Sequence, residues 1–144
     1  MTKVLVVDDE APIRLLCRVN LEADGMSVLE AENGEQGLAL AREHRPDVIL
    51  LDVMMPGLDG WQVARALLEQ PSTAGIPIVF LTARAESRDY SRGLDLGGVE
   101  YMTKPFNPLE LGRLLRDLLT RIEAGERESL RGERLQQLRS LIGG

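Results

Sequence analysis

Short, unbroken apolar runs separated by amphipathic segments limit what this chain can fold into more than any other feature. Val4-Leu5-Val6-Val7, Val48-Ile49-Leu50-Leu51 and Ile76 to Leu81 are continuous and rich in β-branched residues. A strand with one wet face alternates apolar and polar side chains. An unbroken run fits a strand buried on both faces, as in a parallel sheet with helices packed on either side. Ser27 to Ala31 and Val99 to Thr103 are shorter and more polar, which suits sheet edges. Pro77 lacks a backbone donor, so it has to sit at the start of the fourth run rather than within it.

The segments between the runs carry helix signals. The first helix is expected from about Glu10, with Pro12 in its opening turn and Ile13, Leu16, Cys17 and Leu21 on one face, ending at Asp24-Gly25. Asn33 and Gln36 resemble a capping box for a second helix that runs to about His44 and is ended by Pro46. A third is expected between Gly60 and Gln70, stopped by Pro71. A fourth lies around Glu86 to Leu96, weakened by Gly93. Asn107-Pro108-Leu109-Glu110 is a strong start signal for a fifth, along which Leu111, Leu114, Leu115, Leu118 and Ile122 form an apolar stripe. Strand and helix therefore alternate five times, which makes the fold class α/β, a doubly wound five-stranded parallel sheet flanked by five helices.

Composition narrows the function. The 144 residues suffice for one domain with a core of its own. Lys plus Arg is 17 and Asp plus Glu is 23, so the net charge is 17 − 23 = −6, a poor basis for binding nucleic acid directly. One cysteine, Cys17, and one histidine, His44, exclude an intrachain disulfide and the usual zinc clusters. Cys17 belongs to the apolar stripe, and His44 to the surface. No apolar run spans a bilayer, and Asp8, Asp9 and Glu10 interrupt the only N-terminal apolar stretch, so no signal peptide is expected and the expected location is the cytoplasm.

After about Thr120 the composition changes. Residues 1–120 read as the folded domain and 121–144 as a helical extension or linker, with Arg and Glu interleaved and Leu130, Leu135, Leu138 and Ile142 as its apolar residues. Gly125 and Gly132 weaken a continuous helix, and a heptad running on from Leu115, Leu118 and Ile122 breaks at Gly125 and Ser129. The extension either packs on the domain or frays, or else it serves as a dimer contact or a linker to a further domain.

Ligands of open parallel sheets bind at the carboxyl ends of the strands. Here the first run ends in Asp8-Asp9-Glu10, the third in Asp52, the fourth in Thr82 and the fifth in Lys104-Pro105. If these strands are adjacent, several carboxylates, a hydroxyl and an ammonium converge. Carboxylates so close repel unless a proton or a cation intervenes. All-oxygen ligands select a hard cation, and a small open cluster favours Mg2+. Beside such a cation Asp52 is a candidate nucleophile toward phosphorus, with Lys104 and Thr82 placed to stabilise the phosphoryl oxygens.

Val6-Val7-Asp8-Asp9-Glu10, the stretch from Leu51 to Gly60 (LDVMMPGLDG), Leu81-Thr82-Ala83 and the stretch from Tyr101 to Phe106 (YMTKPF) together resemble the receiver domain of bacterial response regulators, CheY-like in kind. The likeness covers about residues 2 to 120, in order and with matching separations. It implies a flavodoxin-like sheet in the order 2-1-3-4-5, with the C-terminal helical tail appended. It implies a signalling switch of a two-component or phosphorelay pathway rather than a metabolic enzyme, with self-catalysed phosphoryl transfer and autodephosphorylation.

By this resemblance Asp52 is the phosphoacceptor, and Asp8, Asp9, Asp52 and the backbone carbonyl of Met54 hold Mg2+. Thr82 is the switch hydroxyl, Tyr101 the switch aromatic and Lys104 the phosphate-binding lysine, with a cis bond between Lys104 and Pro105. Ala83 is the small residue beside the acceptor, and Met54 and Arg84 sit where dephosphorylation is tuned. The implied partners are a sensor histidine kinase or a histidine phosphotransfer protein, and a downstream protein target. A homodimer could form through the face made by the fourth helix, fifth strand and fifth helix, or through the tail. At this length no attached output domain is expected.

Two other readings compete. A Mg2+-dependent phosphatase with an aspartyl nucleophile requires two aspartates one residue apart after the first strand, whereas Asp8 and Asp9 are adjacent. A phosphorylation-independent interaction module is expected to lack part of the site, and this chain keeps all of it. Gly97-Gly98 either loosens the switch face or makes a turn. Met55 and Trp61 are expected to pack against the loop after Asp52.

Overall fold

The computed structural model describes residues 1–82, 96 and 98–141, with backbone alone at 99, 134 and 137–141. Five parallel strands, β1 (Lys3–Val7), β2 (Ser27–Ala31), β3 (Val48–Asp52), β4 (Ile78–Thr82) and β5 (Gly98–Thr103), form one sheet in the order β2-β1-β3-β4-β5. The five apolar runs are therefore the five strands, with the two more polar ones at the edges. Pro77 lies just outside β4, where its carbonyl accepts from the Ile49 N–H at 3.0 Å, so its missing donor disturbs no ladder.

Alternate strand residues feed two cores. Leu5, Val7, Ile49, Leu51 and Phe80 pack on one face against α2 (Gly34–His44) and α3 (Gly60–Leu68). Val4, Val6, Leu50, Val79 and Leu81 pack on the other against α1 (Ala11–Ala23) and α5 (Leu111–Glu123). Cys17 is fully buried there, and its thiol is pushed up to about 12 by burial and then by the nearby Asp8 charge, which leaves it an inert core residue. The strands present side chains to both faces because every one of these positions is apolar.

The helix ends follow local chemistry. α1 starts after Glu10, with Pro12 in its first turn. It ends in a Schellman turn: Gly25, at φ 83°, donates to Glu22, and Met26 donates to Leu21, while Met26 and Leu21 join the same core. At α2 the Asn33 side chain accepts from the Gln36 N–H at 2.8 Å, but Gln36 returns its bond to the Glu32 N–H rather than to Asn33. The complete capping box belongs to α3, where Asp59 and Gln62 exchange bonds of 2.9 Å. Its pattern, Asp59-Gly60-Trp61-Gln62, is readable in the sequence.

Three expectations need correction. Pro71 does not merely stop α3; it opens a separate turn, α4 (Pro71–Ala74), because its fixed φ suits a first helical position. The Thr73 hydroxyl then donates to the Leu67 carbonyl at 2.6 Å. Second, the residues from Asn107 begin with a 3-10 turn, Pro108–Glu110, capped by the Asn107 side chain accepting from the Leu109 N–H at 3.0 Å, and α5 proper starts at Leu111. Third, Gly98 is the first residue of β5, paired with Ile78, rather than part of a free turn. The helix expected around Glu86 to Leu96 lies, apart from Leu96, outside the described residues, as do Ala83, Arg84 and Gly97.

Beyond α5 the chain turns at Gly125, φ 82°, in a second Schellman turn, Gly125 to Ile122 and Glu126 to Arg121. It continues as α6 (Arg127–Leu141), which passes through Gly132 unbroken. Leu130 is fully buried in the α1/α5 core, Arg121 pairs with Glu133 at 2.7 Å, and Arg127 donates to the Gly75 carbonyl at 2.8 Å. The tail thus packs on the domain next to edge strand β5. Leu130→Ala is expected to lower stability by about 2–4 kcal/mol through the cavity it leaves, read as a lower urea midpoint for the full chain. An unchanged midpoint would mean that α6 contributes nothing to the core.

Candidate functional site

The strand order places the ends of β1, β3, β4 and β5 in a row. Val7 pairs with Leu51, Asp52 with Leu81 and Thr82 with Thr103, so Asp8, Asp52, Thr82 and Lys104 emerge side by side. Asp8 is tied down by its own backbone. Its N–H donates to the Ala31 carbonyl at 3.1 Å, and its carboxylate Oδ1 accepts from the Glu10 N–H at 2.8 Å. Asp52 Oδ1 accepts from the Met54 N–H at 3.1 Å. One carboxylate oxygen each from Asp8, Asp9 and Asp52 lies within 4.8 Å of the others; Asp8 and Asp52 are buried and Asp9 is exposed.

Gly60 lies against the end of β3. Its N–H donates to the Val53 carbonyl at 3.0 Å, and a Cβ at this position would run into the backbone of Asp52 and Val53. The start of α3 is therefore pressed against the end of β3, a closeness that only glycine permits.

Lys104 approaches from β5. Its N–H donates to the Thr82 carbonyl at 2.7 Å, and a cis bond joins it to Pro105, as expected. The ammonium Nζ lies 2.8 Å from Asp8 Oδ2, 3.5 Å from Asp52 Oδ2 and 3.6 Å from Glu10 Oε2. Lys104 is one of only two lysines in the chain, the other being Lys3. Thr82 is buried at the end of β4. The Tyr101 ring is partly buried and stacks on Phe80 at 5.5 Å, and Phe80 in turn packs on Trp61 at 4.8 Å. Met55 and Trp61 both pack into this core, as anticipated.

The electrostatics show what the pocket lacks. Burial first, and then the Asp8 charge, raise the Asp52 carboxyl to about 7; Lys104 opposes them without prevailing. Burial pulls the Lys104 ammonium down, but its bond to Asp8 and the charges of Asp52, Asp8 and Glu10 outweigh this and raise it. The lysine is therefore a permanent cation. Asp8 Oδ2 is wholly enclosed and has no well-aligned hydrogen bond, only the Lys104 ammonium beside it. An enclosed carboxylate oxygen beside the Lys104 ammonium, a second carboxyl raised by burial and then by the Asp8 charge, and an exposed third one make an oxygen-only donor set that fits a hard divalent cation.

The shift of Asp52 sets the sign of a pH effect. Its folded value, about 7, lies above the free value of 3.8, so the folded chain holds the extra proton in between. Metal-free stability contributed by this group is full below about pH 4 and is lost as the pH rises toward 7. Urea midpoints in a chelator are expected to fall over that window less steeply for Asp52→Asn than for the wild type. Parallel profiles would contradict the raised value.

Comparisons with known proteins show the family. The response regulator receiver domain, as a sequence family, matches residues 4–116. The chain belongs to the response regulator receiver family. The phosphate regulon transcriptional regulatory protein PhoB of Pseudomonas aeruginosa is 45% identical over 126 residues, covering 88% of this receiver and 55% of the relative. The alkaline phosphatase synthesis transcriptional regulatory protein PhoP of Bacillus subtilis is 46% identical over 121 residues, covering 84% and 50%. The receiver thus spans about half the length of these curated relatives. Among solved structures, the chemotaxis protein CheY4 of Vibrio cholerae superposes with a TM-score of 0.78 at 35% identity, covering 82% of the receiver and 98% of that chain.

Receivers are the response regulator modules of two-component systems, where they meet histidine kinases or phosphotransfer proteins. No helix among the described residues is long and apolar enough to cross a membrane.

The structure brings Asp8, Asp9, Asp52 and Lys104 together, sets Thr82 at the adjoining strand end and stacks Tyr101 on Phe80. Met54 meets Asp52 through its N–H, and its side chain is exposed. Sequence reasoning missed Gly60 and the part played by Glu10 as both helix cap and third neighbour of Lys104. The Asp59–Gln62 capping pattern was the available signal for the tight entry into α3 at Gly60. It also missed Arg14, which donates to the Asp8 carbonyl.

Proposed function

We propose that this receiver is a phosphorylation-activated switch that accepts a phosphoryl group on Asp52 from a phosphohistidine of a sensor kinase or phosphotransfer protein, with Mg2+ as cofactor. The observation that carries the reading is the cluster of Asp8, Asp9 and Asp52, two of them buried, with the Lys104 ammonium against Asp8 and Asp52. Asp8, Asp9 and Asp52 would hold the cation, joined by the Met54 backbone carbonyl, and a cation there would supply positive charge to the phosphoryl oxygens and favour the ionised form of Asp52.

The ionised Asp52 oxygen attacks phosphorus, the P–N bond to the donor imidazole breaks, and its electron pair returns to the imidazole nitrogen, leaving an acyl phosphate. Lys104 turns from Asp8 and Asp52 toward the new phosphoryl oxygens, and the Thr82 hydroxyl donates to one of them. Hydrolysis of the acyl phosphate resets the switch.

The readout is a change of surface. Phosphorylation adds about −1.5 to −2 charge. A pull on Thr82 and Lys104 is transmitted to β5, where Tyr101 already leans on Phe80. Moving a two-state equilibrium from mostly inactive to mostly active takes roughly 5 kcal/mol, within reach of a buried, charge-assisted cluster. The remodelled face around β5 and α5 is where a downstream protein, or a second copy of the chain, would bind.

The test is incubation of the full chain with a small phosphodonor such as acetyl phosphate, with Mg2+ or with a chelator, followed by intact-mass measurement and phosphate assay. One phosphoryl group per chain, gained only with Mg2+ and lost to hydroxylamine, is expected. Sustained phosphate release from many phosphomonoesters would instead indicate a phosphatase.

A further inference from the structure

The backbone carbonyl of Asp8 has a partner outside the sheet. Arg14, on α1, donates to it from Nη1 at 2.7 Å. The same guanidinium lies with Nε 3.5 Å from Glu30 Oε1 on β2, while Glu30 Oε2 accepts from Arg18 Nη1 at 2.7 Å. Arg18 Nε also pairs with Glu22 at 2.9 Å. The side chains of Arg14 and Glu30 are only 14% and 27% exposed, so this is not a loose surface pair of the kind that contributes little. The planar fork of an arginine can grip a carbonyl and a carboxylate at once, which a lysine ammonium on a flexible stem does not reproduce.

Every backbone polar group of Asp8 is thereby fixed. Its N–H is bonded to β2 and its carbonyl to α1, with Oδ1 pinned by Glu10. What remains unassigned is Oδ2, the enclosed oxygen that faces Lys104.

We propose that Arg14, braced by Glu30, is a positioning residue that holds Asp8 in the orientation the acidic pocket needs to bind a divalent cation. The proposal rests on the metal-dependent reading above. It makes a claim opposite in sign to simple electrostatics. As a nearby positive charge Arg14 repels a cation, so its removal would tighten binding if charge were all that mattered. As a brace, its removal loosens Asp8 and weakens binding.

The test is calorimetric titration of Mg2+ alone into the full-length chain, comparing wild type with Arg14→Gln, Arg14→Lys and Glu30→Gln. Binding is expected to weaken by about tenfold for both Arg14 variants, the order of one lost charge-assisted hydrogen bond. Glu30→Gln should move the same way by a smaller factor. Phosphoryl uptake from acetyl phosphate should recover toward the wild-type rate as Mg2+ is raised, a split that general loss of folding would not give. Mg2+ binding as tight as wild type, or tighter, in Arg14→Gln or Arg14→Lys overturns the proposal. Should the Arg14 variants have lowered melting midpoints, Glu30→Gln decides, and unchanged affinity there overturns it. If wild type itself binds no Mg2+, the metal-dependent reading fails instead, so the two failures are told apart.

Discussion

Asp52→Asn is expected to abolish phosphoryl acceptance while leaving the chain folded. The amide is nearly the same shape as the carboxylate and can still accept from the Met54 N–H, which donates to Oδ1 at 3.1 Å. It cannot form an acyl phosphate, because its oxygen carries no nucleophilic charge at neutral pH. The replacement also removes a buried carboxyl that Asp8 repels, so metal-free stability near pH 7 should rise rather than fall. Intact mass after exposure to acetyl phosphate and Mg2+ reads the first effect, and a urea midpoint reads the second. Full loss of the adduct together with an equal or higher midpoint separates a lost nucleophile from a damaged fold. A variant that still gains a phosphoryl group would move the acceptor elsewhere.

Lys104→Met is expected to slow phosphoryl uptake by about 10²–10³-fold, the range for removing one preorganised donor aimed at developing charge. The lysine stands alone beside Asp8 Oδ2 and Asp52 Oδ2 among the described residues. Its loss leaves enclosed carboxylates with no countercharge, which costs stability unless a proton enters. Lys104→Arg should not restore the rate. The chain uses arginine at every basic position but Lys3 and Lys104, and the compact ammonium sits where carboxylates approach from several sides. Rapid-quench phosphorylation at saturating Mg2+ measures the rates; a wild-type rate in Lys104→Met would remove the lysine from the chemistry.

The sheet was legible because its strands are buried on both faces, and a run such as Val48 to Leu51 has no other comfortable environment. The four strand-end residues Asp8, Asp52, Thr82 and Lys104 could be grouped from the sequence for the same reason: parallel strands bring their carboxyl ends to one edge. Matches to relatives and solved structures show the family and the fold.

What escaped the sequence depends on distances that periodicity does not encode. Gly60 looks like an ordinary helix start until the backbone of Asp52 is found against it. Arg14 looks like one charge among many on α1 until its guanidinium is seen on the Asp8 carbonyl. Pro71 carries a stop signal and a start signal together, and only the buried Thr73 side chain shows that the start is used. The tail was ambiguous because its apolar residues follow no unbroken heptad; among the described residues Leu130 is buried in the core, and Arg127 and Glu133 add polar contacts that periodicity does not reveal.

The central claim is tested most directly by locating the phosphoryl group on the wild-type chain. After phosphorylation with Mg2+ and acetyl phosphate, hydride reduction converts an acyl phosphate to an alcohol, and peptide mass mapping finds the altered residue. The account requires that residue to be Asp52 alone. Reduction products at Asp8 or Asp9, or a phosphoryl group on a hydroxyl with Asp52 unchanged, would contradict it.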